Sequence, residues 1–218
     1  MLTLLLYKEY RLATPTITWF FLLFGIMTLL PGYPILMGPF FICFGIFQAF
    51  QYAREADDIL YSVLLPIRKR EVVTSKYLAV LGVQTMALFI IIAMTALRMS
   101  VLSTVSVYRR NVLMPANLTF VAFVFLMYAA FNVLFVGGYF RTAYNLGGPF
   151  LAFIVAALLI VATGETLHHI PGLAFLDALH GPGLISQAVL LILCLMTYVG
   201  MTLLSLKRSW SRFERLDI

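Results

Sequence analysis

Charged residues are scarce in this sequence, and their scarcity excludes an ordinary soluble domain. Asp, Glu, Lys and Arg make up 11% of its 218 residues, and hydrophobic residues make up 62%. Soluble domains carry about 25% charged and about 45–50% apolar residues. The mean hydropathy of +0.99 points the same way. We therefore expect a polytopic membrane protein with a single transmembrane domain over residues 1–218.

Motifs for catalysis and nucleotide binding are also missing. No G-x-x-x-x-G-K-[ST] phosphate loop occurs, so we expect no ATP site of that kind and no cofactor in this chain. Neither H-E-x-x-H nor G-x-S-x-G occurs, which removes two common signatures of hydrolytic enzymes. Cys43 and Cys194 lie inside apolar runs and are interpreted as small buried hydrophobic residues. We predict that the chain is not an enzyme.

One polar cluster keeps an intramembrane enzyme or a metal site open as a weak alternative. His168, His169 and His180 lie near Glu165 and Asp177 in one loop. Zinc requires three or four such ligands at fixed distances. Adjacent histidines rarely point at one metal, so we favour a polar surface loop and predict no metal.

Six apolar segments are long enough to cross a bilayer as helices. A helix needs about 20 mostly apolar residues to cross a hydrocarbon core of about 30 Å. Helices also satisfy their own backbone groups, which lipid cannot do. The sequence therefore predicts an all-α fold with six transmembrane helices. We place them at 13–30, 35–53, 77–97, 118–139, 146–163 and 184–206.

Lys and Arg in the loops predict the orientation of these helices. With both termini in the cytoplasm, the cytoplasmic segments hold twelve of the 15 Lys and Arg residues, as the positive-inside rule requires. Arg98, Arg109 and Arg110 are the exceptions; contact with outer-leaflet phosphates is one interpretation, and solvation is the one that we favour. We attribute the net charge of +6 to this bias and predict no nucleic-acid partner.

Three further patterns concern the N-terminal segment, one outer loop and the polar residues inside the predicted spans. Residues 1–12 have leucines on one face and charges elsewhere, which is typical of a helix lying in the membrane interface. The outer loop 164–183 has Gly and Pro at both ends and an apolar middle, which favours a short re-entrant helix. The polar residues within the spans, Gln48, Gln51, Gln84 and Asn132, are expected to form interhelical hydrogen bonds.

The densest group of charges lies between the second and third spans, in "READDILYSVLLPIRKREVVTSKYL". This stretch holds eight of the chain's 24 charged residues before Lys76 adds a ninth. Residues 55–65 fit an amphipathic helix with acidic residues in its first turn, where the helix dipole favours them. Pro66 ends it, because the residue before a proline avoids the helical conformation. The apolar face comprises Ala56, Ile59, Leu60, Val63 and Leu64.

The same stretch resembles the permease subunits of the type-2 ATP-binding-cassette (ABC) family. These subunits often carry a Glu and, after a spacer, a pattern such as L-P-[IV]-[ST]-R-x-x-[IV]-V-x-x-K-Y. Lys69 stands where the family often has Arg, and Arg68 replaces the usual Ser or Thr. The layout of six spans, an N-terminal interfacial helix and a long last outer loop is also similar. The matching residues are Glu55, Leu65, Pro66, Ile67, Val72, Val73, Lys76 and Tyr77.

The resemblance implies a bacterial exporter of the cytoplasmic (inner) membrane. Permeases of this family pair with an identical or homologous second permease chain, among membrane lipids. Each half binds a separate ABC ATPase subunit, so two copies are expected, and ATP and Mg²⁺ bind there. Such exporters move hydrophobic or amphipathic substrates outward, including peptides, antibiotics and lipid-like molecules.

The resemblance also identifies residues 54–76 as a cytoplasmic coupling loop whose helix docks on the ATPase. The predicted docking residues are Glu55, Asp57, Asp58, Tyr61, Leu65 and Pro66. A basic clamp at the membrane surface, where lipid phosphates attract cations, is predicted at Arg68, Lys69, Arg70 and Lys76.

The alternative is a stand-alone secondary carrier, or another polytopic membrane protein that is not coupled to an ATPase. A proton-coupled carrier needs buried titratable residues along its path. The predicted spans contain almost no charged residues, which favours the ABC permease.

Overall fold

Helices are the regular elements of the computed structural model, which describes residues 2–109, 112–142, 145–167 and 169–215. No strand occurs in these ranges, so the predicted all-α class is confirmed. The α-helices are α1 Leu2–Lys8, α2 Thr16–Phe21, α3 Met37–Glu55, α4 Asp58–Leu64, α5 Lys69–Ser100, α6 Ser106–Arg109, α7 Leu118–Ala130, α8 Gly137–Thr142, α9 Gly147–Leu167 and α10 Gly183–Glu214. The π-helical turns are Glu9–Ala13 and Phe131–Val136, and the 3-10 segments are Leu22–Leu29, Leu102–Thr104 and Ala174–Asp177.

The N-terminal helix turns sharply before the chain enters its first apolar segment. α1 continues through the π-helical turn to Ala13, and the segment Thr16–Leu29 leaves it at an angle of 89°. Pro15 lies at this corner, where its missing N–H removes a helical hydrogen bond. A helix therefore occupies the predicted interfacial segment, while its location at a membrane surface stays a prediction.

Among the described residues, four helical runs are long and apolar enough to cross a membrane, or five if the bent N-terminal pair forms one span. The four are α5, the continuous run Leu118–Arg141, α9 and α10. α3 is less apolar because Gln48, Gln51 and Arg54 lie in its last turns. A multi-pass membrane protein is supported, and the count of six spans stays a prediction.

The run Leu118–Arg141 forms the centre of the assembly. Most of its apolar stretch is buried, 78% against 17% for α10, because the other helices surround it. Phenylalanine rings fill the contact with α3 and α9, where Phe47, Phe135 and Phe150 touch one another. The exposed faces of α9 and α10 are rich in Leu, Ile and Val, as a surface in contact with lipid requires.

The helices run between two ends of the molecule, which we name by their charge. At the charged end α3 finishes and α5 begins; at the opposite end α5 finishes and α10 begins. At the opposite end, α9 continues to Leu167, and the described part of the predicted loop 164–183 then has a 3-10 turn where we expected a re-entrant helix. This turn is held by the carbonyl of Leu176, which accepts hydrogen bonds from Asn117 Nδ2 at 2.6 Å and Thr119 Oγ1 at 3.1 Å.

Arg98, also at the opposite end, is buried rather than solvated, so that expectation is wrong. Its guanidinium donates to the carbonyl of Thr28 at 2.7 Å and lies 4.9 Å from the centre of the Tyr108 ring. Tyr108 donates to the carbonyl of Leu29 at 2.8 Å. The 3-10 segment ends at these carbonyls, and helix ends leave such groups unsatisfied. Arg110 and the side chain of Arg109 lie outside the described residues.

Candidate functional site

The predicted docking helix is shorter than the sequence pattern indicated. Glu55 is the last residue of α3, and α4 begins only at Asp58. Asp57 separates them with a φ of 49°, in the left-handed region that Asp tolerates better than most residues. Leu65 is extended and Pro66 follows, so the predicted end of the helix agrees with the structure.

The predicted docking residues divide into an exposed group and one buried residue. Tyr61 is 59% exposed, and Leu64, which we assigned to the apolar face, is 78% exposed. Asp58 is the exception, because it is only 9% exposed and its carboxylate points into the protein. The side chains of Ile59, Leu60 and Val63 are outside the described part. Glu55, Asp57 and Pro66 are exposed, and Leu65 is half-buried.

Asp58 belongs to a group of four charges that we name the buried charge cluster: Lys8, Glu9, Asp58 and Lys76. Lys76 Nζ lies 2.7 Å from Glu9 Oε2 and 2.7 Å from Asp58 Oδ2. Lys8 Nζ lies 2.6 Å from Asp58 Oδ1 and 3.2 Å from Glu9 Oε1. Each lysine therefore contacts both carboxylates, and the four formal charges sum to zero.

Burial makes this neutrality essential. Glu9 is 2% exposed and Lys76 is 4% exposed, and an isolated charge at such depth is strongly destabilising. Burial alone would raise the pKa of the Asp58 carboxyl, but the ion pairs with Lys76 and then Lys8 outweigh it and lower that pKa. Ser62, one turn after Asp58, accepts a hydrogen bond from Lys8 Nζ at 2.7 Å. Asp58 is therefore charged at neutral pH, with a lysine Nζ within 2.7 Å of each carboxylate oxygen.

The buried charge cluster joins three separate elements. Lys8 and Glu9 come from the N-terminal helix and its π-helical turn, Asp58 comes from α4, and Lys76 comes from α5. If α4 moves relative to the N-terminal helix and α5, the ion pairs that join it to both of them must lengthen. The short helix is thus mechanically linked to the N-terminal helix and to a long membrane helix.

Sequence reasoning missed this cluster. Lys8 and Glu9 were among the charges placed away from the leucine face of the N-terminal helix, and Lys76 was assigned to the basic clamp at the membrane surface. The structure corrects the assignment of Lys76, because its ammonium lies inside the protein between two carboxylates. One feature of the sequence does indicate it. Asp58 and Ser62 lie four residues apart, so they share one face of a helix and can both contact the same buried cation.

The other residues of the predicted clamp lie near the start of α5. Arg68 and Arg70 are exposed, whereas Lys69 is half-buried. Glu71 accepts a hydrogen bond from the backbone N–H of Arg68 at 3.2 Å, which caps the helix. Arg70 forms a two-point contact with Glu214, at 2.6 and 3.1 Å, and so joins α5 to the end of α10. Contact of these residues with lipid stays a prediction.

A second polar group, without formal charge, lies deeper between the long helices. Gln84 Nε2 donates to Asn132 Oδ1 at 2.9 Å, and Asn132 Nδ2 donates to Gln84 Oε1 at 3.1 Å. Asn132 also donates to Thr202 Oγ1 at 3.0 Å, and Tyr198 donates to Gln84 Oε1 at 2.9 Å. We name Gln84, Asn132, Tyr198 and Thr202 the amide network. The predicted interhelical hydrogen bonding of Gln84 and Asn132 is confirmed.

The π-helical turn after α7 extends this network towards the charged end. The carbonyl of Asn132 accepts a hydrogen bond from Ser205 Oγ at 2.8 Å. Tyr77 shares hydrogen bonds with Ser205 and Ser209, at 2.8 and 2.9 Å. π-helical turns release backbone groups from the regular α-helical pattern and are frequent at functional sites. Here the Asn132 carbonyl accepts the backbone N–H of Gly137 within the turn and also the Ser205 hydroxyl, and this second bond fastens the central run to α10.

Metal ligation finds no support in the described ranges, where no group of three or more His, Cys, Asp or Glu is arranged to hold an ion. His168 lies outside those ranges.

The comparison with protein families matches almost the whole chain. The family described as ABC-2 family transporter protein matches residues 4–210. Neither the curated proteins nor the solved structures gave a match. The matched region contains the complete buried charge cluster, α4, Pro66 and the amide network. The chain therefore belongs to the ABC-2 family of transporter proteins, as the pattern around Pro66 predicted.

Proposed function

We propose that this chain is the membrane-spanning permease subunit of an ABC exporter. It moves a hydrophobic or amphipathic substrate outward across the bacterial cytoplasmic membrane, driven by ATP hydrolysis on a separate ATPase. Membership of the ABC-2 family supports a membrane transport component that works with an ABC ATPase. The direction of transport, the class of substrate and the cytoplasmic position of both termini are parts of the proposal.

The observation that carries the proposal is the way α4 is held. Its buried side, Asp58 and Ser62, is fixed to Lys8 and Lys76, while Tyr61 and Leu64 are exposed. An exposed apolar side chain on a firmly anchored helix is suited to a protein partner, since buried aromatic and aliphatic anchors dominate interfaces. Movement of an ATPase bound to α4 would reach α5 through the ion pairs.

The proposed assembly contains two ATPase subunits and a second permease chain, identical or homologous. ATP and Mg²⁺ bind to the ATPases, so this chain needs no cofactor of its own. Arg68, Lys69 and Arg70 then lie at the cytoplasmic membrane surface, where anionic lipids attract basic side chains. Glu55, Asp57, Tyr61, Leu64, Leu65 and Pro66 form the docking surface in this assembly.

Co-purification with a candidate ABC ATPase tests the docking surface. We expect Leu64→Glu and Leu65→Glu to weaken ATPase binding at least about tenfold, as loss of an interface anchor does. Glu55→Ala should have a smaller effect, because rim charges contribute little. Val112→Glu is the matched control, since Val112 is as exposed as Leu64 but lies towards the opposite end. Retained binding in both leucine variants would contradict the docking assignment.

A secondary carrier is the second candidate function, and one observation favours it. Glu9 and Asp58 are buried carboxylates of the kind that proton-coupled carriers use. Both are paired with lysines at the charged end rather than placed along a path through the membrane, which favours a structural role. Transport into inside-out vesicles separates the two functions: uptake with ATP and the ATPase supports the exporter, and uptake driven by a proton gradient alone supports the carrier.

A further inference from the structure

A small pocket at the charged end opens between the central run of helices and the last turns of α10. Its cavity volume is about 120 Å³. It lies on the side of α10 that continues into the exposed apolar surface of the membrane helices. The residues that line it are Val133, Gly137, Met201, Leu204, Ser205, Arg208 and Arg212.

The two arginines give the pocket a strongly cationic rim. Arg208 and Arg212 are four residues apart in one helix, so their Cβ atoms lie about 5–6 Å from each other. Both are exposed, and neither forms an ion pair with an acidic residue in the part of the chain that the structure describes. Arg70 differs from them, because Glu214 neutralises it. Two guanidinium groups side by side match the oxygens of a phosphate.

Apolar side chains line the pocket beside the arginines. Val133 is half-buried, Met201 and Leu204 are exposed, and the hydroxyl of Ser205 is already bonded to the Asn132 carbonyl. A side chain at Gly137 would collide with Ser205 Oγ, so the glycine is needed for this close approach of the two helices. The polar contacts that remain for a ligand therefore come from the arginines at the rim.

The order of charged and apolar residues along α10 matches the headgroup and acyl chain of a lipid. Arg208 and Arg212 lie towards the end of the helix, and the exposed apolar residues Met201, Leu203 and Leu204 lie one to two turns nearer the middle. Anionic lipids place a phosphate at the membrane surface and an acyl chain beneath it, and basic pockets between membrane helices bind such headgroups.

We infer that this pocket binds the phosphate headgroup of an anionic phospholipid, whose acyl chain lies along Met201 and Leu204. This inference goes beyond the proposed transport function and does not depend on an ATPase. The pocket adjoins the contact between the π-helical turn and α10, because Ser205 lines the pocket and also donates to the Asn132 carbonyl.

Native mass spectrometry of the full chain in a neutral detergent tests the inference. The protein is titrated with phosphatidylglycerol, phosphatidylcholine or inorganic phosphate. We expect wild-type protein to retain phosphatidylglycerol preferentially. The variant Arg208→Gln/Arg212→Gln should bind it about 30-fold more weakly, since a basic residue near an anionic lipid contributes about fivefold. Met201→Trp, which keeps both charges but occupies the pocket, should also reduce binding.

Two controls separate the pocket from other sources of anion binding. Arg54→Gln/Lys207→Gln removes the same number of exposed charges outside the pocket. An equal loss in this variant would show general surface charge and overturn the inference. Equal binding of phosphatidylcholine, displacement of the lipid by inorganic phosphate, or unchanged binding in Met201→Trp would overturn it as well. Loss confined to the two pocket variants supports it.

Discussion

The buried charge cluster and the amide network solve the same problem with different chemistry. Both satisfy polar side chains inside an apolar protein. The cluster uses four formal charges to join α4 to the N-terminal helix and α5. The network uses neutral amides and hydroxyl groups to join the long helices α5 and α10 to the central run.

The difference predicts how each group responds when one member is lost. A lost ion leaves a buried charge without compensation, which destabilises proteins by about 3–5 kcal/mol. A lost amide leaves only an unpaired dipole, and hydrogen bonds between membrane helices contribute on average about 0.6 kcal/mol. The cluster therefore suits an element that must move as one piece with its neighbours, and the network suits helices that must stay together.

Lys76→Met is expected to be the most damaging single change. It leaves Glu9 and Asp58 with only Lys8 between them, so one buried carboxylate loses its partner. We expect destabilisation of about 3–5 kcal/mol, or partial release of α4. Thermal unfolding in detergent measures the first outcome, and protease cleavage within 54–68 measures the second.

A double variant tests whether charge balance is the cause. Lys76→Met/Glu9→Gln removes one charge of each sign and leaves the pair of Lys8 and Asp58, which are 2.6 Å apart. It should recover much of the stability that Lys76→Met loses. Equal instability in the single and double variants would show that packing of the lysine chain matters more than its charge.

Acid should weaken the cluster and leave the amide network unaffected. The ion pairs lower the pKa of Asp58 below the value of about 3.9 that an unfolded chain shows. Its stabilising contribution is therefore complete above that pH and is lost as the pH falls through the folded-state pKa. We expect unfolding temperatures to be constant from about pH 8 to about pH 5 and to drop below about pH 4.

Asp58→Asn provides the reference for this acid transition. The variant lacks the carboxyl, so its stability should vary less with pH in the same range. Lys8, Glu9 and Lys76 still face position 58 in the variant. The contribution of Asp58 is therefore measured as the difference between the stability–pH curves of wild type and Asp58→Asn. Parallel curves for wild type and variant would contradict a charged Asp58 in the folded protein.

Asn132→Leu should break the amide network with a smaller effect than the loss of Lys76. Gln84 and Thr202 lose a partner, and the change is expected to destabilise by about 1–3 kcal/mol. Thermal unfolding of the purified chain measures it. The matched control is Thr197→Val, because Thr197 is exposed on α10 and its hydroxyl donates to the carbonyl of Leu193 in its own helix. A loss larger than that of Lys76→Met would reverse the proposed contrast.

Hydropathy predicted most of the fold, because each long helix is specified by its own local sequence. The end of α4 at Leu64 was also readable, since Pro66 restricts the residue before it. The start of α4 was not. α3 continues to Glu55 and α4 begins at Asp58, whose contacts with Lys8 and Lys76 arise only after folding.

The candidate site was predictable to the same degree. The pattern around Pro66 is made of residues close together in sequence, so it could identify the family and the region of the candidate site. Glu9, Asp58 and Lys76 are far apart in sequence, so no local pattern reveals that they meet. Arg98 shows the same limit, because its partner is a carbonyl of Thr28, and a backbone atom leaves no trace in the residue pattern.

Tyr198→Phe should produce the smallest loss of stability of these variants. It therefore sets the lower end of the comparison between the amide network and the buried charge cluster. It removes one hydroxyl, whose hydrogen bond to Gln84 Oε1 is 2.9 Å long, and keeps the ring against Phe125. Gln84 Oε1 keeps its second donor, Asn132 Nδ2, so no buried acceptor is left unsatisfied. We expect destabilisation of about 0.5–1 kcal/mol by thermal unfolding. Tyr77→Phe is the matched partner, because Tyr77 contacts two hydroxyl groups and should therefore lose more. If Tyr198→Phe were as harmful as Lys76→Met, the neutral network would be as intolerant of a missing member as the ionic cluster, and charge would not explain the difference between them.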